Sequence, residues 1–271
     1  MRGREKNVAD DSSDLPDTLF HYTSQDGLLG ICSSRSIFAT KVQYLNDEAE
    51  FRYGLDLARD AIGDLGGPED LAQVVDAIHH ANIFVSSLTE EADLLSQWRA
   101  YGTPGHRFSL GLRSAVLRQV AEIDGWTLQK CIYLPADQKQ AVNDVVNRAV
   151  ELAKRKRPYA GRFREELIGM ASRLKDPSFI EENEWRLVSP LIREGEGRIR
   201  YRSGGFTLIA YVEFSLVAWA PKVSDRSVAI SEVIVGPTPH PDLSLRAVAA
   251  MLRAHGLKGT VRTSKSSFRD W

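Results

Sequence analysis

At 271 residues, with 43% hydrophobic and 26% charged side chains, the chain is long enough to bury a full core and is ordinary in composition for a globular protein. A formal net charge of −1 supplies no overall field toward nucleic acid or an anionic membrane, so any such binding must come from a local patch. Cys32 and Cys131 make neither a disulfide framework nor a metal-ligand spacing, and they read as small buried hydrophobes in a reducing compartment. The longest apolar stretch, Phe206 to Ala220, is broken by Glu213 and is too short for a membrane span. The start, Met1 to Lys6, lacks the apolar segment of a secretion signal. The expected location is the cytoplasm, with no membrane partner.

Residues 1–17 have the polar, Asp- and Ser-rich composition of a tail, and the ordered domain is expected over 18–271. Leu19 to Tyr22 reads as a strand, Gln25 to Arg35 as a short helix and Ser36 to Thr40 as a second strand. Asn46 is placed to cap a helix with Asp47, Glu48 and Glu50 in its first turn, ending near Gly66-Gly67. Pro68 then opens another helix. Ile83 to Leu88 reads as a strand, Glu90 to Tyr101 as a helix, and Arg107 to Leu112 and Trp126 to Leu134 as strands around a helix from Ser114 to Val120. Gln138 to Leu174 favours long helices interrupted at Pro158 and Gly161. Strands follow at 184–190, 199–203, 206–213 and 230–235, then a helix at 241–255 and a last strand at 259–263. This irregular interleaving favours α+β over a doubly wound sheet.

Five groups carry candidate chemistry. His21-Tyr22-Thr23 ends the first strand. Tyr44 to Glu50 joins an aromatic residue to an acidic helix start. Ser86-Ser87-Leu88-Thr89 leads to Trp98 and Tyr101, whose spacing puts them on one helix face. Glu182 and Glu184 are two apart, so in a strand they share a face, where like charges raise one another's pKa. Ser264 to Arg269 is an anion-binding candidate or a polar tail. No Gly-rich phosphate loop, dinucleotide fingerprint or nucleophile elbow is present, and the adjacent His79 and His80 point apart on their helix.

As an ordered set, His21-Tyr22-Thr23, Tyr44-Leu45-Asn46-Asp47 with Glu50, Ser86-Leu88-Thr89, Trp98 with Tyr101, Glu184-Trp185-Arg186, and Ser264 with Phe268-Arg269 resembles a widespread bacterial family of uncharacterised function found in defence and toxin-like contexts. The opening segment also resembles ADP-ribosyltransferases. That resemblance implies a single domain with a mixed, split β-sheet cradling NAD, plus helical insertions. It makes Glu184 the catalytic carboxylate, with Glu182 completing an E-x-E pair. It gives NAD binding to His21, Tyr22, Thr23, Tyr44, Asn46, Ser86, Trp98, Tyr101, Arg186 and Arg269, with Tyr44 stacking on nicotinamide and the arginines on pyrophosphate. Tyr22 stands where the poly-ADP-ribosylating branch commonly has Gly. The expected activity is NAD-dependent ADP-ribosylation by a toxin or anti-phage effector, without a metal and restrained by an antitoxin or regulatory protein. NAD hydrolysis and a non-catalytic binding module are the alternatives. Lys154, Arg155, Lys156, Arg157 and Arg162, with aromatics nearby, read either as a solvated helix face or as a patch for RNA or DNA, which leans the expected acceptor slightly toward nucleic acid over protein.

Overall fold

The protein is described by a computed structural model covering residues 15–45, 48–101, 107–218 and 227–269. In chain order its elements are β1 (Thr18–Ser24), α1 (Gln25–Ser34), β2 (Ser36–Lys41), α2 (Glu48–Asp64), α3 (Glu69–His79), β3 (Phe84–Thr89), α4 (Leu95–Ala100), β4 (Arg107–Arg113), α5 (Ser114–Asp124), β5 (Thr127–Lys130), α6 (Pro135–Lys154), α7 (Ala160–Ala171), β6 (Glu184–Val188), β7 (Arg200–Ser203), β8 (Leu208–Ser215), β9 (Val217–Ala218), β10 (Ser227–Val228), β11 (Ile230–Val235), α8 (Pro241–Ala254) and β12 (Thr260–Thr263). Short 3₁₀ segments precede α2 (Val42–Tyr44) and β6 (Pro177–Glu182, kinked at Phe179).

Local chemistry explains most boundaries. Ser24 caps α1 by accepting from the Gly27 N–H at 3.1 Å. Gly125, at φ 72°, ends α5 in a left-handed turn. Pro135 and Pro241 open α6 and α8, where a missing N–H costs nothing. Two expected elements are shorter than their periodicity implies. The helix expected over 90–101 is confined to α4 because the residues before it bond elsewhere. Thr89 Oγ1 accepts from the Glu91 N–H, and Tyr22 Oη donates to the Glu91 carbonyl and accepts from the Leu94 N–H. The strand expected over 126–134 stops at Lys130, because Ile132 turns to donate to the Arg173 carbonyl before Pro135 begins α6.

The fold is mixed α/β. A ten-stranded sheet runs β12-β11-β4-β1-β3-β2-β8-β7, with β6 and β5 joined on the other edge of β3; β11 and β12 are parallel and the other pairs antiparallel. One face packs on α1, α5 and α8 around Leu19, Phe84, Leu88, Leu187 and Phe214. The opposite face carries Val85 and Val188 into a layer made by α2, α3, α6 and α7. Each of those four helices contributes an apolar stripe to a shared core. Cys32 and Cys131 are both buried, and burial pushes both thiols up, Cys32 to about 11. No helix among the described residues is long and apolar enough to cross a membrane.

Candidate active site

The site originates in the way β3 is shared. On one edge β3 pairs with β6 along its length, Val85 opposite Val188 through Thr89 opposite Glu184. On that side the Phe84 carbonyl accepts from the Ser189 N–H and the Glu90 N–H donates to Asn183. The alternate residues Val85, Ser87 and Thr89 therefore turn their backbone groups to the other edge. There β2 meets Val85 through Thr40, while β1 meets Thr89 through Phe20. Ser87 falls between them, where the two strands part. Its carbonyl is taken by His21 Nδ1 at 3.1 Å.

A carbonyl accepts only, so Nδ1 carries the proton and Nε2 is left as an acceptor. Burial pushes the His21 imidazole below its ordinary pKa, against the opposing effect of the Ser87 hydrogen bond. The ring is therefore neutral at pH 7.

The gap opens into a cavity of about 740 Å³. Strand alternation puts His21 and Ser86 on the α1 face, with Leu19 and Phe84, and Glu184 on the opposite face, with Val188. In an unbroken sheet these groups would be separated by backbone. Here His21, Tyr22, Thr23, Tyr44, Ser86, Tyr101, Glu182 and Glu184 all line one cavity.

Glu182 and Glu184 are not successive same-face residues of a strand, as their spacing suggests. Glu182 ends the 3₁₀ segment, Asn183 is left-handed at φ 40°, and Glu184 is the first residue of β6. Nor is the Glu184 carboxyl raised by its neighbour, because Lys175 lies between the two, 3.0 Å from Glu182 and 2.5 Å from Glu184. Arg186 Nε donates to the other Glu184 oxygen at 2.8 Å, and its Nη2 reaches Glu50 on α2 at 3.3 Å. The Glu184 N–H donates to Tyr133 Oη at 2.8 Å. Burial alone pushes the Glu184 carboxyl up, but Arg186 and Lys175 more than reverse this and bring it down to about 2. Glu50, Glu182 and Glu184 are thus tied to Lys175 and Arg186 in one network beside the cavity.

Other sequence candidates are placed elsewhere. Arg186 is 3% exposed, committed to Glu184, Glu50 and the Ser172 carbonyl, and does not line the cavity. Trp98 is fully buried, packs edge-on to Tyr22 at 4.7 Å and donates to Asp93, so it is core rather than a cofactor platform. Arg269 is exposed and is not among the lining residues, and Asn46 lies outside the described residues. Lys154, Arg155, Lys156, Arg157 and Arg162 are exposed at the junction of α6 and α7. Glu151 and Glu166 pair with three of them, and none of the five lines the cavity.

Three contributors are not among the sequence candidates. Lys175 bridges the carboxylates. Phe38 presents a partly exposed ring from β2. Arg202, from β7, is the sole Lys or Arg among the described lining residues and donates to Thr40 Oγ1 at 3.1 Å. Alternation of Arg200 and Arg202 on a strand was the available signal for the last. Glu50 and its partner Arg186 fall in separate candidate groups, and only the fold pairs them.

Gly27 is a further constraint on the cavity wall. A β-carbon there would stand 2.0 Å from Thr23 Oγ1. Gly27→Ala is expected to push the Thr23 side chain aside, destabilise the fold by about 1–3 kcal/mol and weaken ligand binding at the cavity. A thermal melt and a ligand titration check this; unchanged values in both would contradict the packing described.

Comparison with known proteins covers part of this site. No curated protein and no solved structure matches the chain. Residues 97–187, from α4 through most of β6 and including Glu182 and Glu184, match the family described as "Protein of unknown function (DUF2971)".

Proposed function

We propose that the protein is an NAD-dependent ADP-ribosyltransferase that modifies a macromolecule, with the toxin or anti-phage role and restraining partner implied by the resemblance. The observation that carries the reading is the convergence of His21, Tyr44 and Glu184 on one cavity of about 740 Å³, within the usual size range of small-molecule sites. On this reading the split mixed sheet is an ADP-ribosyltransferase-like core.

The residues suit a dinucleotide with unlike ends. His21 Nε2 accepts from a ribose hydroxyl. Tyr44, 42% exposed, offers a ring for stacking. Arg202 supplies a planar cation for the pyrophosphate, the task expected of Arg186 and Arg269. Ser86 Oγ is buried without a hydrogen-bond partner among the described residues, which suits a polar ligand atom.

The reaction breaks the bond between nicotinamide nitrogen and ribose C1′, and the electron pair leaves with nicotinamide. An acceptor oxygen or nitrogen bonds to C1′ and releases a proton. Positive charge builds on the ribose as the bond breaks, and ionised Glu184 with Glu182 is worth most there. A carboxyl held near pKa 2 acts as charge and hydrogen-bond acceptor, not as a general acid.

One observation favours a second reading. Both Glu184 oxygens already have cationic partners, as in a purely structural network, which fits a non-catalytic binding module.

Incubation with adenylate-labelled NAD plus RNA, DNA and lysate protein separates the readings. Transfer gives nicotinamide and a labelled macromolecule, whereas hydrolysis gives nicotinamide and unattached ADP-ribose. Tyr44→Ala is expected to raise KM for NAD about tenfold with little change in kcat. Wild-type protein that leaves NAD intact would sink the proposal.

A further inference from the structure

The face of the sheet that carries Glu184 does not stop at the cavity. Directly opposed residues share a face, so the pairings Glu184–Thr89, Val85–Thr40, Thr40–Tyr211 and Tyr211–Arg200 trace one surface across β6, β3, β2, β8 and β7. Four inter-strand steps cover about 19 Å. Phe38, 39% exposed, lies on this surface with its ring 4.2 Å from that of Tyr211. Beyond it come Arg202 and Arg200, then the Gly204-Gly205-Phe206 turn, where the Phe206 ring is fully exposed. From Gly197 to Val212 the sequence holds Arg198, Arg200 and Arg202 and no acidic residue. Arg200 reaches Glu213 at 2.9 Å, but that pair is solvent-exposed and only loosely holds the side chain.

We propose that the β7–β8 hairpin is the docking element for single-stranded nucleic acid, and that it delivers the acceptor to the cavity. This rests on the transferase reading for its purpose but not for its binding. Arginines spaced along one strand match a phosphate backbone, and exposed aromatic rings match unstacked bases. Charge complementarity here is local, as the near-zero net charge requires. The cluster expected to do this, Lys154 to Arg157, does not line the cavity. An anionic membrane also attracts arginines, but the exposed apolar side chains of the hairpin, Tyr201, Phe206 and Leu208, make only a small anchor, and the Phe38 and Tyr211 rings lie on the sheet face.

The test uses the full chain without NAD and reads fluorescence anisotropy with labelled 12-residue single-stranded RNA and DNA. The hairpin variants are Arg198→Ala with Arg200→Ala, and separately Phe206→Ala; none of these residues lines the cavity. Each variant is expected to weaken binding roughly tenfold, and the double arginine variant to reduce the log–log salt slope by about 1.4. Nicotinamide release without acceptor should stay at the wild-type rate. Alanine at all of Lys154, Arg155, Lys156 and Arg157 should leave oligonucleotide binding intact. Equal binding by wild type and hairpin variants, loss only in the Lys154–Arg157 variant, or binding to anionic vesicles in place of oligonucleotide would each overturn the assignment. Oligonucleotide binding through the hairpin without NAD turnover would instead sink the transferase reading alone.

Discussion

If the protein is the transferase proposed, Glu184→Gln is expected to reduce nicotinamide release by at least about 10²-fold while lowering stability by roughly 3 kcal/mol. The two effects have one origin. Glu184 is 3% exposed and meets Lys175 at 2.5 Å and Arg186 at 2.8 Å. Removing its charge leaves both cations less compensated at a buried position. Glutamine keeps the shape and part of the hydrogen bonding, so the fold survives and activity can be measured on folded protein. Turnover within twofold of wild type would remove Glu184 from the chemistry.

The same carboxylate gives a pH signature. Its folded pKa, about 2, lies below the ordinary 4.5, so the folded state binds the proton less readily than the unfolded chain. The stabilisation, about 3 kcal/mol from the size of the shift, is fully present above pH 4.5 and is lost as pH falls toward 2. Urea unfolding of wild type and Glu184→Gln across this window should show the two stabilities converging in acid. A constant gap would mean that the network does not hold Glu184 ionised.

Lys175→Met has the second large effect. Lys175 is 5% exposed, bridges Glu182 and Glu184, and lies 5.0 Å from the Phe179 ring centroid. Methionine preserves the apolar stem but removes the cation that Glu182 and Glu184 share. A loss of about 3–5 kcal/mol is expected, and Lys175→Arg should restore part of it. With one cation gone, burial is less opposed and the Glu184 pKa moves up. If Glu184 acts as an ionised group in turnover, the acid limb of the pH–rate profile moves up with it. A bystander network would lose stability without moving that limb.

Much of the framework was legible because its signals are local. Pro68 and Pro241 mark helix starts by the conformation and missing donor they bring, whatever packs around them. Alternation in β1, β3 and β11 and the apolar stripes of α3, α5 and α6 are likewise written along the chain. So was the grouping of His21, Tyr44 and the Glu182–Glu184 stretch as special. The α4 boundary was not, because Tyr22 and Thr89 take hydrogen bonds that the helix would need.

Tertiary structure decided what those residues face. Periodicity assigns a side chain to one face of its own strand, but it does not report where neighbouring strands part from β3 and let two faces share a cavity. It places Glu182 and Glu184 close together, but the sign of the Glu184 pKa shift depends on Lys175, set there by the Ile132–Leu174 bridge, and on Arg186. It makes Trp98 and Arg186 look like ligand contacts, whereas packing buries both, and it left Arg202 unremarked until the hairpin laid it beside Thr40. Local conformational preference is encoded residue by residue. Electrostatics and access depend on distances between segments remote in sequence, and those are fixed only when the sheet closes its register.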